Sequence, residues 1–293
     1  MNKQICLFYI LSWFNPNNIL FNKAIFDIII NSIKYIYKYG VYVKLYLLKY
    51  AIDKDYHIII KSLIENNVNI YRDNDNYVWR HAAKNGSYNI IKLLIENGVN
   101  IHFNDEYALH RSATEGYYDI VKLLIDNGAN IHADDNYALK LASYNGHYDI
   151  VNLLLESGAN VHADDDNALS LAITKGHYHV IKLLLKNGAN VHANDDVALR
   201  FSAENDHYDI VKLLLKNGAD VHANDDEALC LAIRKGHYNV TKFLIRNGAN
   251  IHANNDEAFI LAYLSGKFKM VKLFSKAAIQ NISTLKLPNS SLL

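Results

Sequence analysis

The sequence has little of what small folds commonly use to fix themselves. Only two of its 293 residues are cysteine and two are proline. Cys6 and Cys230 lie far apart with no CxxC spacing, which argues against a disulfide framework or a thiolate zinc site and fits a reducing compartment. Neither charge sign dominates. Thirty Lys and Arg balance thirty Asp and Glu, so no global excess draws the chain onto nucleic acid or anionic lipid. Long uncharged runs are also missing. Residues 5–14 are apolar behind Lys3, but they are bulky and no small-residue cleavage site follows, so they do not read as a secretory leader. Residues 24–52 are interrupted by Asp27, Lys34, Lys38, Lys44 and Lys49, and cannot supply the ~20 apolar residues of a membrane span. The expectation is a cytoplasmic or nuclear protein, not secreted and with no membrane span.

What the sequence does have is a period. Gly98, Gly128, Gly158, Gly188, Gly218 and Gly248 recur every thirty residues, and Gly86, Gly116, Gly146, Gly176, Gly236 and Gly266 form a second column, with Asp206 as its substitute. Two punctuation marks per unit imply two elements per unit. In DNYALKLASYNGHYDIVNLLLESG, Ala138, Leu139, Leu141 and Ala142 give the first helix a small-residue face, Asp135 is placed to cap it, and Gly146 ends it. The second helix spans about Tyr148 to Glu156, turns Ile150, Val151, Leu153 and Leu154 inward, and stops at Gly158. Neither helix reaches the ~12–15 residues at which an isolated helix is even marginal in water, so stacking must supply the core. Helix pairs begin near Tyr77, Tyr107, Tyr137, Asn167, Val197 and Glu227, with weaker copies at 47–67 and 258–275. This divides the chain into an apolar segment and helical cap at 1–44, a repeat array at 45–276 of about eight units, and a short tail at 277–293.

The pattern ALxLA, GHYDIVKLLL, NGANVHA resembles the ankyrin repeat, whose units join a β-turn finger to two antiparallel helices. The resemblance implies an all-α solenoid of stacked ankyrin-type helix-turn-helix repeats with shortened finger loops. The departures are a period of thirty in place of thirty-three, an array without proline, no T-P-L-H start, and a loop at 133–137 about three residues short. Capping is therefore expected to move to the column Asp105, Asp135, Asp165, Asp195, Asp225 and Asn255. This compact, proline-free variety is similar to the ankyrin arrays of giant DNA viruses of protists, which would make a host protein the target.

Chemical alternatives are weak. Ten of the fourteen histidines form two columns, His102, His132, His162, His192, His222 and His252, then His147, His177, His207 and His237. Members of a column should sit about 8–10 Å apart and cannot converge on one metal, so they are read as turn braces. No P-loop, zincin helix or nucleophile elbow occurs, and Asp164, Asp165 and Asp166 lack the Gly and distal Glu of a calcium loop. The expectation is a non-enzymatic protein with no cofactor and no metal.

By resemblance, a partner lies along the finger loops and first helices. The matching positions are Tyr107, His110, Arg111, Asp134, Tyr137, Lys140, Tyr144, Asp164, Asn167, Ser170, Thr174, Asp196, Arg200, Glu204, Asp226, Glu227 and Arg234. The loops are acidic, which suits a partner protein with a basic surface, bound by a monomeric scaffold. Two alternatives stand beside it: nucleic-acid binding through the second-helix column Lys92, Lys122, Lys182, Lys212, Lys242 and Lys272, which the zero net charge disfavours, and a substrate-recruiting adaptor of a ubiquitin ligase.

Overall fold

The structure is a computed structural model that describes residues 51–65 and 77–275. The expected N-terminal cap within 1–44, the tail at 277–293 and the loop at 68–76 lie outside the described residues. The chain divides into two compact units, Met1–Asn130 and Ile131–Leu293.

In the first unit the described helices are His57–Glu65, Tyr77–Asn85, Tyr88–Glu96, Phe103–Glu115 and Tyr118–Asp126. First helix packs on first helix and second on second: Tyr77–Asn85 meets Phe103–Glu115, and Tyr88–Glu96 lies between His57–Glu65 and Tyr118–Asp126. The core between them holds Ile59, Ile60, Leu63, Trp79, Ile90, Ile91 and Leu94, all fully buried.

The second unit repeats the scheme. Its first helices are Ala133–Asn145, Ala163–Thr174, Ala193–Glu204, Ala223–Lys235 and Ala253–Leu264, each packed on the next. Its second helices are Tyr148–Glu156, Tyr178–Lys186, Tyr208–Lys216 and Tyr238–Arg246, followed by residues 268–275. Ala138, Leu139 and Ala142 recur as Ala168, Leu169 and Ala172, then as Ala228, Leu229 and Ala232, and all are buried. Alanine at two of three inner positions lets neighbouring backbones approach closely. In YDIVKLLLK the buried residues Ile210, Val211 and Leu214 share one face, and neighbouring helices cover it. No strand occurs among the described residues, so the architecture is an all-α solenoid of stacked helix pairs.

The turn that opens each first helix departs from the expected cap. Asp134, Asp135 and Asn136 have φ of 48°, 53° and 59°, and the same left-handed run recurs at 104–106, 164–166, 194–196 and 224–226. The right-handed helix therefore starts only after residue 136, at Tyr137 in the unit opened by Ala133. Left-handed backbone costs an ordinary L-residue about 1–2 kcal/mol, and Asn and Asp are the side chains that tolerate it best. That preference explains why the turn positions are almost all Asp or Asn. The expected capping column is corrected accordingly: Asp105, Asp135, Asp165, Asp195 and Asp225 are exposed and make no cap hydrogen bond.

Three glycines of the second column, Gly86, Gly146 and Gly176, have a steric cause. Gly146 has φ 78°, and a Cβ there would lie 2.6 Å from the ring of His177 in the next repeat. The His177 Nε2–H donates to the Tyr144 carbonyl at 3.0 Å, so the ring satisfies a helix-end acceptor while lying over the glycine. Other units keep the geometry with different groups. Tyr117 donates its hydroxyl to the Lys84 carbonyl, and Lys267 donates its ammonium to the Ile233 and Arg234 carbonyls. Asp206 substitutes for glycine because Asp accepts φ 60°, and its carboxylate sits 3.7 Å from Nδ1 of His237.

Candidate functional site

The loops and first helices contain three kinds of polar side chain. The first kind is built into the turn. Asp166 accepts from the His162 ring at 3.2 Å and from the Asn190 backbone N–H of the next loop at 2.8 Å. Asp196 does the same for His192 at 3.1 Å and the Asp220 N–H at 3.0 Å, and Asp226 for His222 at 3.2 Å and the Asn250 N–H at 2.8 Å. Asn136 matches them with its amide oxygen, toward His132 and the Asn160 N–H, and Glu106 toward His102 and the Asn130 N–H. The loop closes on itself as well: Asn190 Oδ1 accepts the His192 backbone N–H at 3.0 Å. Each turn is thus tied to the next by one buried acceptor, and the first histidine column orients that acceptor. Asp196 and Asp226 were expected to face a partner. They are 4% and 3% exposed, and they are corrected to scaffold residues because their carboxylates satisfy buried backbone donors.

The second kind is paired between neighbouring repeats. Lys140 reaches Asp164 at 3.2 Å, Arg200 reaches Glu227 at 2.6 Å, Arg234 reaches Glu257 at 3.3 Å, and Lys235 reaches Glu204 at 3.2 Å. Lys140 is only 9% exposed and is corrected from partner contact to inter-repeat brace. The Asn167 amide beside Asp164, and then Lys140, hold the Asp164 carboxyl below its ordinary range. The Asn224 amide at 2.5 Å and Arg200 do the same for Glu227. Thr174 donates its hydroxyl to the Ser170 carbonyl at 2.9 Å. In the first unit Arg111 pairs with Glu115 at 2.5 Å along its own helix, while Tyr107 and His110 are half-buried.

The third kind is exposed at the surface. Asp135, Asp165, Asp195 and Asp225 are exposed, one per turn, with no ion pair or hydrogen bond among the described residues. Asp134 is exposed beside them. Tyr137 and Tyr144 are 43% and 37% exposed, with Lys140 5.7 Å from the ring centroid of the former and Lys175 4.6 Å from that of the latter. Phe201, 38% exposed on Ala193–Glu204, was not anticipated. The signal was present: within the second unit its column otherwise holds Leu141, Leu171, Leu231 and Leu261, and only this member is aromatic.

Among the described residues no group of three His, Cys, Asp or Glu could hold a metal ion, and no helix is long and apolar enough to cross a membrane. Cys230 is buried, and burial pushes its thiol up to about 11. Helix pairs stacked at a thirty-residue period define the class as a helical-repeat protein. The family follows from the sequence match: the model for ankyrin repeats (3 copies) matches residues 48–135, 79–165, 122–195, 139–225 and 199–284, and the chain belongs to the ankyrin-repeat family. Among solved structures it is similar to the human ASB11 ankyrin repeat domain, with 25% identity and a TM-score of 0.56. That likeness covers 62% of this chain and 96% of the other. No curated protein matches the sequence. The fold is that of a non-catalytic protein-interaction scaffold.

Proposed function

We propose that the second unit holds a partner protein against its turn edge and first helices, and that the partner presents a basic surface. The observation that carries this reading is the row Asp135, Asp165, Asp195 and Asp225, one exposed carboxylate per repeat without an ion pair among the described residues, on turns whose backbone is locked by the buried acceptor beside it. A rigid row loses little conformational entropy on binding. Tyr137, Tyr144 and Phe201 offer large, semi-rigid contact area on the first helices behind the row, and aromatic residues are enriched among binding hot spots. The acids give orientation and association rate, and the aromatics give affinity.

The test starts from proximity labelling in the native cell to recover the partner, followed by calorimetry with a variant carrying D135N, D165N, D195N and D225N. Asn tolerates the left-handed backbone, so the variant removes charge while keeping the turns. The expected result is a loss of affinity of about tenfold or more, diminishing as salt rises. Unchanged affinity for the neutralised variant would place the partner elsewhere.

A further inference from the structure

A second surface of the same unit carries the opposite charge, and the scaffold does not use it. Lys182, Lys186, Lys212, Lys216, Lys242 and Arg246 project from three consecutive second helices, and none makes an ion pair among the described residues. The cations of the first-helix side contrast with them, since Lys140, Arg200, Arg234 and Lys235 each pair with a carboxylate of a neighbouring repeat. The enrichment is local. Equivalent positions in the first unit pair Lys92 and Lys122 with Glu96 and Asp126, and the helix Tyr148–Glu156 has Asn152 and Glu156 there, with Asp149 in its first turn.

Between these helices lie open grooves. One of about 470 Å³ is lined by Tyr148, His179, Lys182, Leu183 and Lys186. Its counterpart two repeats on, of about 330 Å³, is lined by Tyr208, Asn239, Lys242, Phe243 and Arg246. The residues correspond one for one at a sixty-residue offset: a tyrosine wall, a polar residue that is His179 in one groove and Asn239 in the other, an apolar floor and two cations. Tyr148 and Tyr208 are exposed, Leu183 is buried, and the Tyr208 and Phe243 rings meet edge to face at 5.2 Å. At the intervening step Asp209 stands in the place of His179 and Asn239.

We infer that this surface docks an acidic segment of a partner protein that also carries apolar side chains. The cations match its carboxylates, and the Leu183 and Phe243 floors take its leucines or aromatics. Asp149 and Asp209 interrupt the positive face, which penalises a polyanion charged at every unit but not a peptide that sets its acids opposite the lysines. The two grooves are two helix-packing steps apart, roughly 16–20 Å, or about five or six residues of extended chain. The segment therefore presents two acidic-apolar clusters at that separation. This surface goes beyond the turn edge proposed above and takes a partner of opposite charge.

The test is fluorescence anisotropy on the full chain with a labelled peptide carrying two Glu-Leu-Glu clusters joined by a Gly-Ser spacer that sets them about six residues apart. Binding at low salt is expected, weakened about tenfold by K182E with K186E and by a similar factor by K242E with R246E. K92E with K122E, a charge reversal of the mixed face of the first unit, leaves it unchanged. The variant that neutralises the turn acids also leaves it unchanged, so this inference and the preceding proposal fail separately. The inference is overturned by absence of binding, by indifference to both groove reversals, or by equal binding of a peptide with Ser in place of Leu. Tighter binding of oligothymidylate, lost with the same reversals, would assign the surface to nucleic acid and overturn it as well.

Discussion

The turn edge and the second-helix edge of the same repeats use charge differently. On the turn edge, two adjacent acids of one type have opposite fates: Asp195 is exposed and unpaired, while Asp196 is buried between the His192 ring and the Asp220 N–H. On the second-helix edge, Lys212 and Lys216 are exposed and form no ion pair among the described residues. The difference teaches that burial and backbone satisfaction, not charge, separate what builds this scaffold from what it has left for a partner. A repeat can change Asp195 or Lys212 at little structural cost, but Asp196 has a donor in the next repeat that would be left without an acceptor.

The comparison can be broken most easily at that buried acid. Asp196→Ala is expected to destabilise the chain by about 2–4 kcal/mol in urea unfolding, because it orphans a buried N–H and removes a charge-assisted hydrogen bond. Asp196→Asn should lose much less, since Asn136 fills the same place in its own turn. Asp195→Ala should cost only about 1 kcal/mol, the strain of a left-handed alanine. If both alanine variants cost the same, the separation of the two acids fails.

A glycine pair sharpens the same contrast between repeat-to-repeat contact and open surface. Gly146→Ala forces its methyl into the His177 ring and should cost about 2 kcal/mol or more. Gly158→Ala at φ 96° has nothing within 4 Å, so it should cost only about 1 kcal/mol of backbone strain. Thermal unfolding of the two variants side by side checks the order.

Smaller effects belong to the inter-repeat ion pairs. Arg200→Ala should cost about 0.5–1 kcal/mol, since Arg200 and Glu227 are 20% and 35% exposed and solvent screens them. Glu227 titrates below its ordinary value of 4.5 in the folded chain, so the pair's contribution is complete above that pH and disappears as pH falls through the lower folded value. Wild type and Arg200→Ala should therefore differ at neutral pH and converge in acid. The smallest effect is predicted for Lys212→Gln, within about 0.5 kcal/mol of wild type, because Lys212 braces nothing. A larger loss would mean that the second-helix cations serve the fold.

Much of this was legible in the sequence because it follows from period and local chemistry. The thirty-residue spacing, the helix pairs beginning at Tyr107 and Tyr137, and the second helix at Tyr148–Glu156 depend on apolar periodicity and glycine punctuation. The role of the turn acids was misassigned by one residue. Asp and Asn suit both a helix cap and a left-handed turn, and only the backbone decides between them, so Asp135 read as a cap while Asn136 is the buried acceptor. The pairing of Lys140 with Asp164 and of Arg200 with Glu227 depends on the register of stacked helices across 24 and 27 residues, which composition cannot fix. The second-helix cations were visible as a column. Their lack of partners was not.

Native-state hydrogen exchange at the Asp220 amide tests the central claim most directly. Asp220 lies in a loop between helices, so its amide should exchange like other exposed loop amides unless Asp196 holds it. The account predicts protection approaching that of the helix cores in the wild-type chain, and loss of that protection in Asp196→Ala while helix Tyr238–Arg246 remains protected. Fast exchange at Asp220 in the wild type, or protection that survives Asp196→Ala, would contradict it.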